Sequence, residues 1–141
     1  MSDIEVLLKC IERGHLLGPS FNGIDTEVAL SNRDEPQFES EWLRLFEAVE
    51  NVQLSAQQMA TIDRLREGAF NAMFDLSGNS DLSGYVSDDF EVIGKGVASR
   101  QSDYFLSGLL KAYVDGTLPG GINVGSEQST DTLIHELRQK I

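Results

Sequence analysis

Apolar residues recur at helical spacing in six separate stretches, and most of these open on a residue suited to cap a helix. Ile4, Leu7, Leu8 and Ile11 follow Ser2-Asp3-Ile4-Glu5, whose serine and glutamate have the spacing of a capping box. Phe38, Trp42, Leu45, Phe46 and Val49 follow Asp34-Glu35-Pro36, with Asp34 expected as the cap and Pro36 in the first turn. Met59, Ile62, Leu65, Ala69, Met73 and Leu76, broadened by Phe70 and Phe74, follow Ser55 and Gln58. Shorter stripes run through Phe90, Ile93 and Val97 behind Ser87, and through Phe105, Leu106, Leu109, Leu110 and Tyr113 behind Ser102. The last comprises Leu133, Ile134, Leu137 and Ile141. A period near 3.6 fits helices and does not fit strands.

The spacing predicts an all-α fold, an irregular bundle of five to six helices built around a central antiparallel hairpin. The short link Asn51–Leu54 places that hairpin between the Phe38 and Leu76 stripes. Gly18-Pro19-Ser20 and Asn22-Gly23 read as turns, and residues 26–30 as loop with at most one turn of helix. Ser77-Gly78-Asn79-Ser80 reads as a break, Asp81 to Gly84 as at most one turn, and Ser87 as the cap of a helix that Gly94 and Gly96 either weaken or open to close approach by another backbone. A loop at about 116–126, flexible by its glycines, precedes the C-terminal helix. With 141 residues and 40% hydrophobic content, one domain spanning 1–141 is expected.

Charge is the strongest compositional departure. The chain has 23 acids against 11 Lys and Arg, a formal net charge of −12. Such a field repels phosphate backbones and anionic membranes and attracts basic partners. The acids concentrate. Asp25 to Glu50 carries eight of them against Arg33 and Arg44, and Asp75 to Glu91 carries five with no base between. A protein partner of basic character is therefore expected, and nucleic acid and membrane are not. The acidic N-terminus lacks the basic region of a signal peptide, and Cys10 is the only cysteine, so the expected location is the cytoplasm.

Catalytic and metal motifs fail on inspection. His135-Glu136 begins a zinc-protease pattern, but Gln139 stands where the second histidine is required. A calcium loop starting at Asp75 puts Ser80 and Val86 at positions six and twelve, and one starting at Asn79 puts Phe90 at twelve. Gly94-Lys95-Gly96 and Gly120-Gly121 lack the spacing of a phosphate loop. Cys10 lies beside an apolar stripe, where a thiol is partly buried and inert. No metal or cofactor is expected, and an enzyme is not the favoured reading.

The combination of small size, acidity and helicity is similar to that of bacterial immunity proteins, a likeness of type that no single motif carries. It implies an inhibitor that binds a basic partner such as a toxin nuclease. On that reading the contact candidates are Glu39, Glu41, Glu47, Asp88, Asp89 and Glu91. Two alternatives stand beside it. One is a structural, adaptor or self-assembling domain whose C-terminal helix docks elsewhere. The other is an enzyme or small-molecule binder whose site is not visible in the sequence.

Overall fold

The computed structural model describes residues 1–21 and 23–141, and among them it has seven α-helices, one 3₁₀ turn and no strand. Asn22, half of the expected Asn22-Gly23 turn, lies outside the described residues. The helices are α1 (Asp3–Glu12), α2 (Thr26–Arg33), α3 (Pro36–Val49), α4 (Ala56–Ser77), α5 (Ser80–Ala98), α6 (Tyr104–Val114) and α7 (Thr130–Arg138). The all-helical bundle is as the periodicity predicts, with one helix more.

Local signals account for most boundaries. Ser2 accepts from the Glu5 N–H at 3.3 Å, and Gly14 leaves α1 at φ +76°. Ser55 and Gln58 complete a reciprocal capping box at the start of α4. Two caps shift by one residue. Glu35 rather than Asp34 caps α3, because Asp34 closes α2. Asp103 rather than Ser102 caps α6, accepting from the Leu106 N–H at 3.0 Å.

Two segments read as loop are helical. Asp25 caps α2 by accepting from the Val28 N–H at 3.1 Å, and the helix ends in Arg33, whose side chain enters the core. The second is the first half of α5. Gly78 ends α4 at φ +64°, Asn79 caps α5 by accepting from Leu82 N–H at 2.8 Å, and the helix runs unbroken to Ala98. Ser87 is not its cap. Its hydroxyl donates across to the Arg66 carbonyl on α4 at 3.1 Å, and Ser83 donates back to the Asn79 carbonyl at 2.7 Å. Serines that can leave a helix are here held inside one by bonds that packing supplies.

The central hairpin is α4–α5, not α3–α4. A two-residue link joins α4 to α5, and α4 packs along α5 more extensively than any other pair of helices. Gly94 permits the approach: a Cβ there would stand 3.1 Å from Ile62 Cγ1 and 3.3 Å from Leu65 Cδ2. α3 instead seats Phe38, Leu45 and Val49 against α5 and α6. α5 is buried on most of its circumference, from Leu82 and Val86 through Phe90, Val92 and Ile93 to Val97.

α7 packs in its own chain, with Leu133, Ile134 and Leu137 buried against α1 and α6. Arg138 Nη2 donates to Asp3 Oδ1 at 2.8 Å and to the Met1 carbonyl at 3.0 Å. The helix that the adaptor reading required to be free is thus part of the core. The loop before it is tied down at three points. Gly121 N–H donates to the Asn32 carbonyl (2.8 Å), Asn123 N–H to Gln37 Oε1 (2.6 Å) and Ser126 N–H to the Tyr104 carbonyl (3.1 Å). Its glycine at 125 lets it lie directly on α6, where a Cβ on Gly108 would run into the Gly125 backbone.

Inside an isolated helix, Gly108→Ala would gain about 1 kcal/mol. Here the methyl group meets backbone that no rotamer change can move, and overpacking of that kind costs about 1–3 kcal/mol. The expected result in urea unfolding is net destabilisation. A gain would mean that the loop leaves α6 without cost.

Candidate functional site

Four helices contribute one polar group each to the interior. Asp89 on α5 is 0% exposed and the side chain of Arg33, at the end of α2, is 7% exposed. Arg33 Nη1 donates to Asp89 Oδ2 at 2.6 Å and Nη2 to Oδ1 at 2.7 Å. Trp42 Nε1 on α3 donates to Oδ1 at 2.8 Å, and the Tyr113 hydroxyl on α6 donates to Oδ2 at 2.6 Å. Each carboxylate oxygen therefore accepts twice. The guanidinium lies over the Phe38 ring at 4.8 Å and the Tyr85 ring at 5.3 Å.

Burial would lower the Arg33 pKa, but the charge and hydrogen bonds of Asp89 more than reverse this, so the guanidinium stays charged. Burial, reinforced by Asp89, raises Tyr113 well above an ordinary phenol, so it remains a donor. With its four bonds made, Asp89 has no capacity left for catalysis. The cluster is a tie between α2, α3, α5 and α6.

Above the tie lies a groove of about 250 Å³ between α3 and α5. Phe38, Trp42 and the Arg33 guanidinium line it, with Leu43 and Tyr85 at its walls, 48% and 42% exposed. Asp34, Glu39 and Asp88 line it from three helix positions: the end of α2, the start of α3 and the middle of α5. Among the described residues, Asp34 and Glu39 have no cationic partner within 4.0 Å. Asp88 shares Arg66, at 3.1 Å, with Glu91 at 3.2 Å. Its carboxyl is raised by burial and by the neighbouring acids Glu91 and Asp89, with Arg66 pulling the other way.

The six residues singled out in the sequence separate into distinct environments. Glu39 and Asp88 meet at the groove, so the two acidic segments share one face there. Glu47 is exposed two turns along α3, on the same strip as Glu39 and Leu43. Glu41 is paired with Arg44 at 2.8 Å, and Glu91 is paired with Arg66 and with Lys95 at 3.2 Å. Asp89 requires correction. Its side chain faces the core and has no surface to offer a partner. Sequence reasoning missed Asp34, Leu43 and Tyr85. Leu43 carried a signal, being an apolar residue on the polar side of the α3 pattern. Tyr85 carried none, because its helix was read as loop.

Arg44 also reaches α6, donating to both Asp103 oxygens at 2.8 and 3.1 Å. Burial pushes the Asp103 carboxyl up, but the bonds from Arg44 and from the Leu106 N–H outweigh it, and the carboxyl lies below its ordinary 3.8. Such a group stabilises the fold above its ordinary pKa, and this contribution is lost as pH falls through the lowered one. Asp103→Asn is expected to cost about 1 kcal/mol at pH near 6, allowing for solvent screening of Arg44. Thermal melts of both proteins should converge as acidification passes through the lowered pKa of Asp103. A gap independent of pH would assign the loss to packing.

The remaining candidates are unremarkable chemically. Among the described residues no group of three or more His, Cys, Asp and Glu is placed to hold a metal. Cys10 is buried, and burial raises its thiol pKa against the weaker pull of Lys140 and Arg13. No helix among the described residues is long and apolar enough to cross a membrane.

The family model of immunity protein PIM1 matches residues 6–120. The chain belongs to this family. It is an immunity-type protein-binding module, and its partner is a protein. The matched span runs from within α1 through α6 and includes the whole groove and the buried tie, while α7 lies beyond it. No curated protein matches the chain.

Proposed function

We propose that this immunity-family chain neutralises a basic toxin in the cytoplasm by covering a cationic surface of it with the acidic face of α2, α3 and α5. The observation that carries this is the meeting of Asp34, Glu39 and Asp88 around exposed Leu43 and Tyr85. Apolar and aromatic contact area ringed by charge is the composition of a protein interface. Carboxylates without internal partners have most to gain from an incoming cation. A surplus of negative charge over the whole molecule steers a basic partner to that face and raises the association rate. A toxin that cleaves nucleic acid fits this chemistry, because its phosphate-binding cleft is itself cationic. Glu39, Glu47 and Asp88 are the direct contacts on this reading, with Glu41 and Glu91 contributing from within their ion pairs. Asp89 acts by holding the face together.

The test is a low-salt pull-down from source-cell lysate, eluted with salt, followed by association kinetics of the recovered protein across ionic strength. A basic protein whose association slows steeply with salt supports the proposal. A partner that is neutral or acidic, or one whose association ignores salt, overturns it.

A further inference from the structure

We infer that the α3–α5 groove receives a single arginine side chain of the partner and that this arginine anchors the interface. The inference rests on the basic partner proposed above. At about 250 Å³ the groove falls below the size of ordinary ligand pockets, roughly 300–1,000 Å³, and matches one side chain better than a cofactor or a helix.

Its chemistry separates arginine from lysine. Trp42, Leu43 and Tyr85 offer apolar and aromatic surface to an extended stem and a flat head. Asp34, Glu39 and Asp88 approach from separate helix positions, which suits the several in-plane donors of a guanidinium better than the compact charge of an ammonium. The cation already present, Arg33, does not repel the newcomer strongly, because Asp89 takes two of its donors and neutralises it. Arg66 lies within 3.1 Å of Asp88, so the incoming group shares that carboxylate and has Asp34 and Glu39 to itself. Arginine in an aromatic-walled pocket near the middle of an interface is a common hot spot.

The probe is N-acetyl-arginine methylamide, titrated into the ¹⁵N-labelled full chain, with the lysine and citrulline analogues beside it. The expected result is saturable shifts of the Trp42 indole N–H and of the Asp34, Glu39 and Tyr85 amides. The uncharged citrulline analogue should bind at least about tenfold more weakly, and lysine should fall between. Leu43→Ala, at a half-exposed site, should weaken the response without changing the thermal melt. Shifts spread evenly over Glu47, Glu50 and Asp75, or an equal response to lysine, would overturn the arginine pocket.

Kinetics with the recovered partner separate the two readings. Leu43→Ala and Tyr85→Ala should each raise the dissociation rate about tenfold while leaving association unchanged. If dissociation is unmoved but association still falls with salt, the anchor fails and the basic-partner reading stands. If association ignores salt, the basic-partner reading itself fails.

Discussion

Asp89→Asn is expected to remove about 3–5 kcal/mol of folding stability, the usual cost of leaving one member of a buried ion pair uncompensated. The asparagine is nearly isosteric, so no cavity contributes. What changes is charge. Arg33 remains in the core, 7% exposed, facing an amide whose NH₂ group offers it no acceptor. Two of the four donors now aimed at Asp89, one from Arg33 and that of either Trp42 or Tyr113, then lose their acceptor. A domain of this size has only about 5–15 kcal/mol in total, so the loss is a large share.

Urea denaturation of four proteins checks the assignment: wild type, Asp89→Asn, Arg33→Met, and Arg33→Met with Asp89→Leu. The single variants should be strongly destabilised and the double variant should recover only part of the loss, because it removes the uncompensated charge but leaves the Trp42 and Tyr113 donors without an acceptor. A single variant within about 0.5 kcal/mol of wild type would mean that water or a rearranged side chain replaces the lost charge. The same experiment bears on function. The tie sits directly beneath the groove, so a loosened Arg33 should also blur the positions of Phe38 and Tyr85.

The largest effect on binding is expected from reversing Asp34, Glu39 and Glu47 together to lysine. Three reversals of two charges each take the formal net charge from −12 to −6, and all on one face. Association with a basic partner at low salt should fall by about 10²-fold, within the range that electrostatic steering spans. The difference should shrink as ionic strength rises and the Debye length shortens. Folding stability should hold within about 0.5 kcal/mol, because all three residues are exposed and none gives up an ion pair. Lysine at 34 and 47 suits the C-terminal ends of α2 and α3, while lysine at 39 opposes the N-terminal end of α3, so the dipole effects largely offset.

Glu41 and Glu91 are deliberately excluded from this set. Reversing either would break pairs with Arg44, or with Arg66 and Lys95, and mix folding with binding. An unchanged association rate for the triple variant would sink electrostatic recognition by this face. A lost rate accompanied by a lowered melting temperature would point to misfolding instead.

Helices α1, α3, α4, α6 and α7 were legible in the chain because their signals are local. Caps act on backbone groups within four residues, and the apolar stripe repeats within two turns. α2 and the first half of α5 were not legible, for the reason that their stability comes from elsewhere. α2 is eight residues long, short of what a helix needs to persist alone, and it is held by Arg33 reaching into the core. In α5, Ser83, Gly84 and Ser87 have the composition of a loop. Two of them are buried, their hydroxyls satisfied within α5 and by α4. The partner of α4 was likewise misread, since a short link favours a hairpin but cannot say which neighbour packs better.

Asp88 and Asp89 show where the boundary lies. They are adjacent acids in the same acidic run, and local sequence treats them alike. One residue along a helix is a rotation of about 100°, and that turn sends Asp88 to the rim of the groove and Asp89 into the core. The charge of the molecule and its acidic segments were set by the sequence alone. Which carboxylate faces a partner and which one holds the fold depends on Arg33, 56 residues from Asp89, a pairing that exists only once four helices have packed.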